Sequence, residues 1–340
     1  MARITINDIA RISGYSKTTV SFAFNDPGRI GEATRAKILG IARDLGYIPD
    51  PVARNLSMKR HGTIGLLLPD DIPLAFDNSY MAQIVRGIGE VCERDGHSLT
   101  LIPPIRESLL EGVRSAAVDG IITIGLEPGP DTVEIIRHRH LPFVAIDGRP
   151  GGGFPVIGID DRSAAEAIMS HVLDQGCTTI GLVAFADLAE VRSTSHVRVQ
   201  RLEGYRNALG KRDHALLDDL VVTQAPASVA GGREAAQRLL SSSTRPDAIV
   251  AMCDVIALGV LAYAEEAGIT VPQDVIVTGF DGIPESDIVR PRLTTISQPG
   301  YLKGRHAADL LMRLVAGVAV EDHVELPATL VVRTSSRRTR

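Results

Sequence analysis

The residues best suited to bind a small molecule are charged side chains near the ends of predicted strands. Asp147 follows the apolar run 143–146, Asp281 follows the run 275–280, and Arg201 precedes a Gly-Tyr pair in a predicted helix. Ligands of open α/β sheets bind beyond the carboxyl ends of the strands. Carboxylates accept hydrogen bonds and a guanidinium donates them, which suits a hydroxyl-rich ligand. Each of the three could instead cap a helix or form a salt bridge between two lobes.

Sequence signatures of catalysis and metal binding are missing. The chain contains no Gly-x-Ser-x-Gly turn, no phosphate-binding loop and no His-Glu-x-x-His pair. His138 and His140 are two residues apart and cannot share a helix face as metal ligands would. Cys92, Cys177 and Cys253 are far apart, and we expect them to be reduced core thiols. We therefore expect neither an enzyme nor a bound cofactor.

A second group of residues suited to binding lies at the N-terminus, where positive charge is concentrated. The first 60 residues hold ten Lys or Arg against five Asp or Glu, a net charge of +5. The whole chain has a formal charge of −5, so the remainder carries −10. The phosphate backbone of DNA attracts such a basic segment and repels an acidic one. The charge division therefore predicts a DNA-binding segment at the N-terminus.

Three short helices are predicted in this basic segment. A capping-box pattern over residues 5–8 begins the first helix, and Gly14 ends it. Ser16 is placed to cap a second helix over 17–24, and a third helix follows over about 32–45. The outer face at the start of the second helix is the predicted reading surface.

The same segment resembles the lactose-repressor (LacI/GalR) family of transcriptional regulators. The resemblance is carried by residues 6–10, 14–21 and 45–49, together with Asn25 and Thr34, and it continues to the C-terminus. The fold it implies is an N-terminal all-α helix-turn-helix head followed by an α/β, periplasmic-binding-protein-like sensor with two Rossmann-like lobes. The function it implies is a sequence-specific transcriptional regulator, with repression as the first expectation and activation or dual regulation as the alternative.

In that family the second helix of the head lies in the major groove. The matching base-reading positions here are Lys17, Thr18 and Phe22. Phe22 stands where Arg is commoner, so the operator should differ at that step, although Phe22 could instead belong to the core of the head. Four more residues are expected to contact phosphates or to cap helices, and so to position the head: Thr5, Ser16, Ser21 and Asn25.

A further short helix is predicted after the head, because Pro51 suits a first helical position. It is too short to be stable alone and should form only when a partner subunit and DNA order it. The resemblance implies that this is a hinge helix, with Ala53 near the minor groove and Leu56 wedged into a central base step. In an ordinary linker, Leu56 would simply be exposed.

Beyond residue 62 the sequence alternates short apolar runs with amphipathic helices. This alternation is typical of βαβ units on a parallel sheet, and a second cycle from about residue 161 predicts two similar lobes. The expected domains are a head at 1–48, a hinge and linker at 49–61, and an effector-binding and dimerisation domain at 62–340. The expected N-lobe comprises about 62–160 plus 293–323, and the C-lobe about 161–292 plus 324–340.

By resemblance, the effector site lies between the two lobes. Six residues match its expected positions: Asn78, Tyr80, Asp147, Arg201, Cys253 and Asp281. Cys253 stands where sugar-binding relatives often have Asn, and a thiol is a poorer hydrogen-bond partner, so the pocket should be less polar there. The expected effector is a sugar or a nucleoside-like metabolite.

The expected partners are a pseudo-palindromic double-stranded DNA operator, this effector and a second copy of the chain. No leucine heptad follows the last domain, which favours a homodimer over a tetramer. No run of about 18 apolar residues and no apolar signal segment is found, so we expect a cytoplasmic protein without membrane contact. The competing class is a solute-binding protein or sugar-processing enzyme that shares the two-lobed body. The basic, capped N-terminal segment argues against that class.

Overall fold

The computed structural model describes residues 4–49, 60–69, 71–106, 108–126, 129–185, 195–214 and 221–337. The chain divides into two compact units, Met1–Gly62 and Thr63–Arg340. The predicted hinge helix, with Ala53 and Leu56, lies outside the described residues.

The first unit, the head, is helical. Its elements are helix α1 (Ile6–Ser13), helix α2 (Lys17–Asn25), a 3₁₀ turn (Pro27–Arg29) and helix α3 (Glu32–Asp44). The centre of the head is a cluster of buried apolar side chains contributed by all three helices: Ile9, Val20, Ala23, Ile38 and Ala42. Burying one such aliphatic side chain stabilises the fold by roughly 1.5–3 kcal/mol, so this small cluster holds the helices together.

The ends of the head helices follow the predicted capping residues. The Thr5 backbone N–H donates to Asp8 Oδ2 at 3.0 Å, and the Thr5 hydroxyl donates to the same oxygen at 2.8 Å. Gly14 ends α1 in the left-handed region with φ of 75°. Ser16 Oγ accepts the Thr19 backbone N–H at 3.1 Å and so begins α2. The predicted turn between the first two helices is confirmed.

The second unit alternates strands and helices. Its strands are β1 (Thr63–Leu67), β2 (Ser98–Ile102), β3 (Gly120–Ile124), β4 (Phe143–Ile146), β5 (Val156–Gly158), β6 (Ile180–Phe185), β7 (Val221–Ala225), β8 (Ala248–Ala251), β9 (Ile276–Asp281), β10 (Thr294–Ser297), β11 (His323–Glu325) and β12 (Thr329–Val331). Its helices are α4 (Ile72–Phe76), α5 (Ser79–Asp95), α6 (Leu109–Ser115), α7 (Pro130–His138), α8 (Asp161–Asp174), α9 (His196–Gly210), α10 (Val229–Leu240), α11 (Asp254–Glu266), α12 (Glu285–Ile288) and α13 (Gly300–Val315).

The strands form two six-stranded sheets, one in each lobe. The N-lobe order is β11-β5-β4-β3-β1-β2, and the C-lobe order is β12-β10-β9-β8-β6-β7. The neighbouring strands pair in parallel, except that β12 runs antiparallel to β10. Because helices cover parallel sheets, the strands are largely apolar runs, as β3 and β4 illustrate. The predicted two-lobed α/β architecture is confirmed.

The division of the C-terminal residues between the lobes differs from the prediction. Strand β10, expected in the N-lobe, pairs with β9 of the C-lobe, and β11, whose residues 324–325 were expected in the C-lobe, pairs with β5 of the N-lobe. The expected boundaries at 293 and 323–324 are therefore wrong. In the described residues the chain crosses between lobes three times, between Gly158 and Asp161, between Ser297 and Gly300, and between Glu325 and Thr329. Short apolar strands carry no local signal of which sheet they join, since either edge could pair with them.

Helix α13 belongs to the N-lobe, where it packs closely against α5. A Cβ added at Gly304 would lie 2.1 Å from the Ile84 carbonyl oxygen, and one added at Gly87 would lie 2.1 Å from that of Tyr301. Only glycine permits so close an approach of two helix backbones. This contact fixes α13 at the edge of the cleft between the lobes.

In the described part of the chain, every helix is too short or too polar to span a lipid bilayer.

Candidate functional site

The N-lobe half of the cleft is built around Asp147, which directly follows β4. Its Oδ1 accepts a hydrogen bond from Lys303 Nζ of α13, and its Oδ2 accepts one from the Tyr80 hydroxyl of α5 at 3.4 Å. The Lys303 side chain is fully buried, and that of Asp147 is 6% exposed. A buried charge without a partner is costly, so each member of this ion pair requires the other.

A glutamine connects this pair to the C-lobe. Gln298 lies between β10 and α13, in one of the crossings between the lobes. Its Oε1 accepts a hydrogen bond from Lys303 Nζ at 2.6 Å, and its Nε2 donates to Asp281 Oδ1 at 2.6 Å. Asp281 is the last residue of β9. A continuous series of side chains therefore runs from α13 of the N-lobe to the end of β9 in the C-lobe.

Arg201 of α9 completes the C-lobe half. Its Nε donates to Asp161 Oδ1 at 2.8 Å, its Nη1 lies 3.9 Å from Asp281 Oδ1, and the same nitrogen donates to the Met252 carbonyl oxygen. The centre of the guanidinium lies 3.5 Å from the centroid of the Phe280 ring. Stacking on an aromatic face and pairing with carboxylates are interactions that suit a guanidinium. Together they fix the orientation of Arg201.

Asp254 supports the strand end that carries Asp281. Its Oδ2 accepts the backbone N–H groups of Gly282 at 2.8 Å and Ile283 at 2.9 Å, and its Oδ1 accepts the Thr295 hydroxyl at 2.6 Å. Gly282 has φ of 72°, a conformation that favours glycine. These bonds hold a tight turn immediately after Asp281.

The buried carboxyls of the C-lobe have perturbed ionisation. Burial raises the pKa of Asp281 to about 7, although the Arg201 guanidinium opposes the shift. Burial also raises the pKa of Asp254 to about 6 against the effect of its hydrogen bond from Thr295. The pKa of Asp161 is raised by burial and lowered in part by Arg201. Asp281 therefore titrates close to neutral pH.

Two of the carboxylates sit on an uncommon backbone. Asp147 has φ of 57° and Asp281 has φ of 123°. Residues with a Cβ disfavour positive φ, although Asp tolerates it better than most. Such strain persists where surrounding contacts enforce it, and it clusters at binding sites. The strand ends that face the cleft from each lobe share this property.

A cavity of about 160 Å³ lies beside this network, between the lobes. Residues of both lobes line it, and its polar lining residues are Asp147, Asp160, Asp161, His196, Gln200, His323 and Glu325. The lining combines hydrogen-bond acceptors with imidazole groups, so it can bind a ligand that presents hydroxyl or amine donors. In the described part of the chain, no group of three or more His, Cys, Asp or Glu side chains is arranged to hold a metal ion.

The structure brings together four of the six residues predicted to form the effector site: Tyr80, Asp147, Arg201 and Asp281. Asn78 instead caps α5, where its Oδ1 accepts the Tyr80 backbone N–H at 3.0 Å. Cys253 is fully buried directly before α11, and burial raises the pKa of its thiol. Contact of any of these side chains with an effector stays a prediction.

Sequence reasoning missed four residues of the network: Asp161, Asp254, Gln298 and Lys303. A signal existed for Lys303, because it shares a helix face with the buried residues Ala307, Leu310 and Leu311. A lysine on an apolar face of a helix indicates a buried ion pair. Gln298 and Asp161 carried no such signal, since their partners lie 17 and 40 residues away in the chain.

The predicted reading surface of the head is accessible. Lys17 and Thr18 are exposed at the start of α2, and Phe22 is partly exposed. Phe22 lies outside the cluster at the centre of the head, and the Arg29 guanidinium lies 5.3 Å from the centroid of its ring. The alternative that Phe22 belongs to the head core is therefore not what the structure shows. Its contact with a base stays a prediction.

The residues predicted to position the head have local partners. Thr5 and Ser16 act at the starts of α1 and α2, and Ser21 Oγ accepts a hydrogen bond from Asn25 Nδ2 at 3.3 Å. Thr5 and Ser16 remain exposed, and Ser21 and Asn25 are partly buried. Their helix-capping role is visible for Ser16 and Thr5, whereas phosphate contact stays a prediction for all four.

Comparison with known proteins agrees with both units. Residues 5–50 match the family described as bacterial regulatory proteins, lacI family, and residues 169–336 match the periplasmic binding protein-like domain. The transcriptional regulator IpsA of Corynebacterium glutamicum is 33% identical over 345 residues, covering 95% of this chain and 94% of that protein. The transcriptional repressor CytR of Escherichia coli K12 is 30% identical over 342 residues, covering 98% of this chain and 96% of that one.

A solved structure extends the comparison to the sensor. The structure of a LacI family transcriptional regulator from Enterococcus faecium with bound ribose aligns with a TM-score of 0.68 and 27% identity, covering 82% of this chain and all of that chain. Relatives that are 30% and 33% identical over nearly the full chain, together with the matching head, establish the relationship. The protein belongs to the LacI family of bacterial transcriptional regulators.

Proposed function

We propose that the protein is a sequence-specific DNA-binding repressor whose affinity for its operator is controlled by a small hydroxyl-rich effector bound between the two lobes. The DNA-binding part of this proposal rests on the exposed start of α2, where Lys17 and Thr18 point away from the core of a capped helix-turn-helix. The net charge of +5 on the first 60 residues supports the same role.

Base recognition is assigned to three side chains of α2. Lys17 and Thr18 can donate to base edges in the major groove, and Phe22 can pack on a thymine methyl group. The partial exposure of Phe22 supports this assignment. A phenylalanine cannot make the bidentate contact of an arginine with guanine, so the operator should prefer thymine at the contacted step.

Effector recognition is assigned to the cleft. Asp147 and Asp281 supply acceptors from opposite lobes, and Arg201 supplies a fixed donor. The relative with bound ribose supports a sugar or nucleoside-like effector for this chain. The chain acts as a homodimer in this proposal and works in the cytoplasm, where its operator DNA lies.

Coupling between the sites follows from the crossings between lobes. An effector that contacts both lobes favours one angle between them, and in a dimer this angle sets the spacing of the two hinge segments at 49–61. Leu56 of each hinge can wedge into the operator only when that spacing fits. Effector binding thereby changes the affinity for the kinked operator.

The test is a gel-shift titration on operators selected from a random palindromic library, at several salt concentrations. We expect specific binding whose affinity falls steeply with salt, because each phosphate contact releases counterions. Absence of a selected palindrome, or binding insensitive to salt, would contradict the proposal. Leu56→Ala should weaken operator binding, and unchanged affinity would remove the wedge from the mechanism.

A further inference from the structure

The cavity between the lobes presents negative charge from both sides. Four carboxylates line it, Asp147 and Glu325 from the N-lobe side and Asp160 and Asp161 from the start of α8. Among the described residues, the imidazoles of His196 and His323 also line the cavity, and no lysine or arginine contributes to the lining. A ligand that enters this cavity therefore meets acceptors and negative charge first.

The positive charges of the cleft lie behind these carboxylates and are already paired. Lys303 is fully buried against Asp147 and bonds Gln298 as well. Arg201 is 3% exposed, and its Nε is committed to Asp161. Neither cation can turn toward the cavity without leaving a buried carboxylate unpaired, which is a costly change. The two cations therefore neutralise the protein's own carboxylates and add no net positive charge to the cavity, although Arg201 can still donate a hydrogen bond to a ligand hydroxyl.

The charge at the rim of the cavity persists at neutral pH. Hydrogen bonds from Ser163 lower the pKa of Asp160, so this carboxyl is ionised there. Glu325 is exposed on β11 at the edge of the N-lobe sheet. A phosphate group placed in a cavity of this size would lie within a few ångströms of like charges, whereas hydroxyl or ammonium groups would donate to them.

We propose that the cleft selects unphosphorylated polyhydroxyl ligands, prefers those that carry an amine, and rejects their phosphate esters. This inference rests on the proposed effector site and narrows its ligand class by charge. Asp160 and Glu325 are the residues that discriminate, since both line the cavity and no lysine or arginine lies in the lining beside them. Asp147 and Asp161 bind the ligand hydroxyls from the inner side.

Matched compounds test the proposal. Binding to the full chain is measured by calorimetry and thermal shift at pH 7, where an ordinary imidazole is mostly neutral and the amine of glucosamine is mostly protonated, and at constant ionic strength. The probes are glucose, glucosamine and glucose 6-phosphate, ribose and ribose 5-phosphate, and adenosine and adenosine 5′-phosphate. At least one unphosphorylated probe should bind, and its phosphate ester should bind at least about tenfold more weakly, a factor within reach of one charge interaction near a protein surface. Glucosamine should bind more tightly than glucose.

Charge variants locate the discrimination. Asp160→Asn keeps a side chain able to cap α8, and combined with Glu325→Gln it should reduce the preference against the phosphate ester by about tenfold. Glu321→Gln, an exposed change in the same C-terminal segment that does not line the cavity, should leave the preference unchanged.

Three results would overturn the proposal. They are tighter binding of any phosphate ester than of its parent compound, an unchanged preference in the double variant, and no binding by any unphosphorylated probe. Operator binding is measured with the same preparations, so that failure of the ligand proposal can be distinguished from failure of the proposed function. A protein that shifts a palindromic operator but prefers phosphate esters refutes only the ligand class, whereas failure to bind DNA refutes the proposed function.

Discussion

The head and the cleft use opposite arrangements of the residues assigned to recognition. In the head, Lys17 and Thr18 are exposed, and an apolar cluster on the other side of the helices holds them in place. In the cleft, Arg201 and Asp147 are buried and bonded to charged side chains of the protein itself. A surface of the first kind can be altered with little effect on stability. A site of the second kind contributes to stability and to recognition at once.

The largest effect expected from this contrast is on the stability of the sensor. Lys303→Met removes the buried ammonium, keeps the apolar stem and leaves Asp147 unpaired, so the free energy of unfolding should fall by about 3–5 kcal/mol. Chemical denaturation followed by circular dichroism measures the change.

A matched exposed lysine is the control for this variant. Lys211 pairs with Glu166 but its side chain is 68% exposed, so Lys211→Met should cost less than about 1 kcal/mol. Adding Asp147→Asn to Lys303→Met should recover part of the loss, since the unpaired charge is removed. Equal costs for the two lysines would contradict the contrast between buried and exposed sites.

The next effect concerns DNA recognition by the head. Lys17→Ala should weaken binding to the selected operator by about 1–3 kcal/mol and relax the preference at one base pair, because a base contact is lost. Quantitative gel shifts on single-base operator variants measure both quantities. Arg43→Ala removes the same charge from α3, outside the predicted reading surface, and should leave the preference at each base pair unchanged. A uniform loss in Lys17→Ala would place this residue on phosphate instead of a base.

A smaller effect is expected from the titration of Asp281. Because burial raises the pKa of Asp281 to about 7, the folded protein binds a proton that the unfolded chain has released above its ordinary pKa. The stability contributed by this proton is present at low pH and is lost as the pH rises through about 7. Asp281→Asn mimics the protonated acid, so relative to the parent it should become more stable between pH 5.5 and 8 by about 2 kcal/mol.

Urea denaturation at each pH measures this difference, with Glu321→Gln as the variant of an exposed carboxylate. Asparagine tolerates positive φ, so the backbone at 281 should be retained. A constant difference between Asp281→Asn and the parent over this range would show that Asp281 is ionised throughout.

The smallest effect separates capping from recognition within the head. Ser16→Ala removes the acceptor of the Thr19 N–H and should cost about 1 kcal/mol of stability. Thr18→Ala lies at an exposed helical position and should leave stability nearly unchanged while weakening operator binding. Thermal unfolding of both variants measures the loss of stability, and gel shifts measure the loss of operator affinity. A stability loss in Thr18→Ala equal to that in Ser16→Ala would show that the exposed face also holds the helix.

The parts of the molecule governed by local interactions could be predicted from the sequence. The caps at Thr5, Gly14 and Ser16 are contacts within a few residues, so their patterns indicate where α1 ends and α2 begins. The alternation of apolar runs and amphipathic helices likewise predicts two α/β lobes, because the spacing of apolar residues indicates which face of each strand or helix is buried.

The parts governed by distant partners could not be predicted in the same way. Strand β5 has only three residues and pairs with β11, which follows it by more than 160 positions, so the sequence carried no local signal of this pairing. The cleft carboxylates were identified from their positions after strands, but their neutralisation by Lys303 depends on helix α13, more than 150 residues beyond Asp147. Asp254 acts through the turn after Asp281, and only the folded chain brings the two together.

The three crossings between the lobes limit what the sensor can report. In the described residues, three short connecting segments join the lobes, and the relative motion expected of such a connection is a rotation about a line through the crossings. Gln298 lies in one of these crossings and bonds to both Lys303 and Asp281, so it sits near that axis, where a rotation displaces it least. In the proposed mechanism, chemically different ligands would therefore act on the rest of the molecule through one quantity, the sign and size of a single angle.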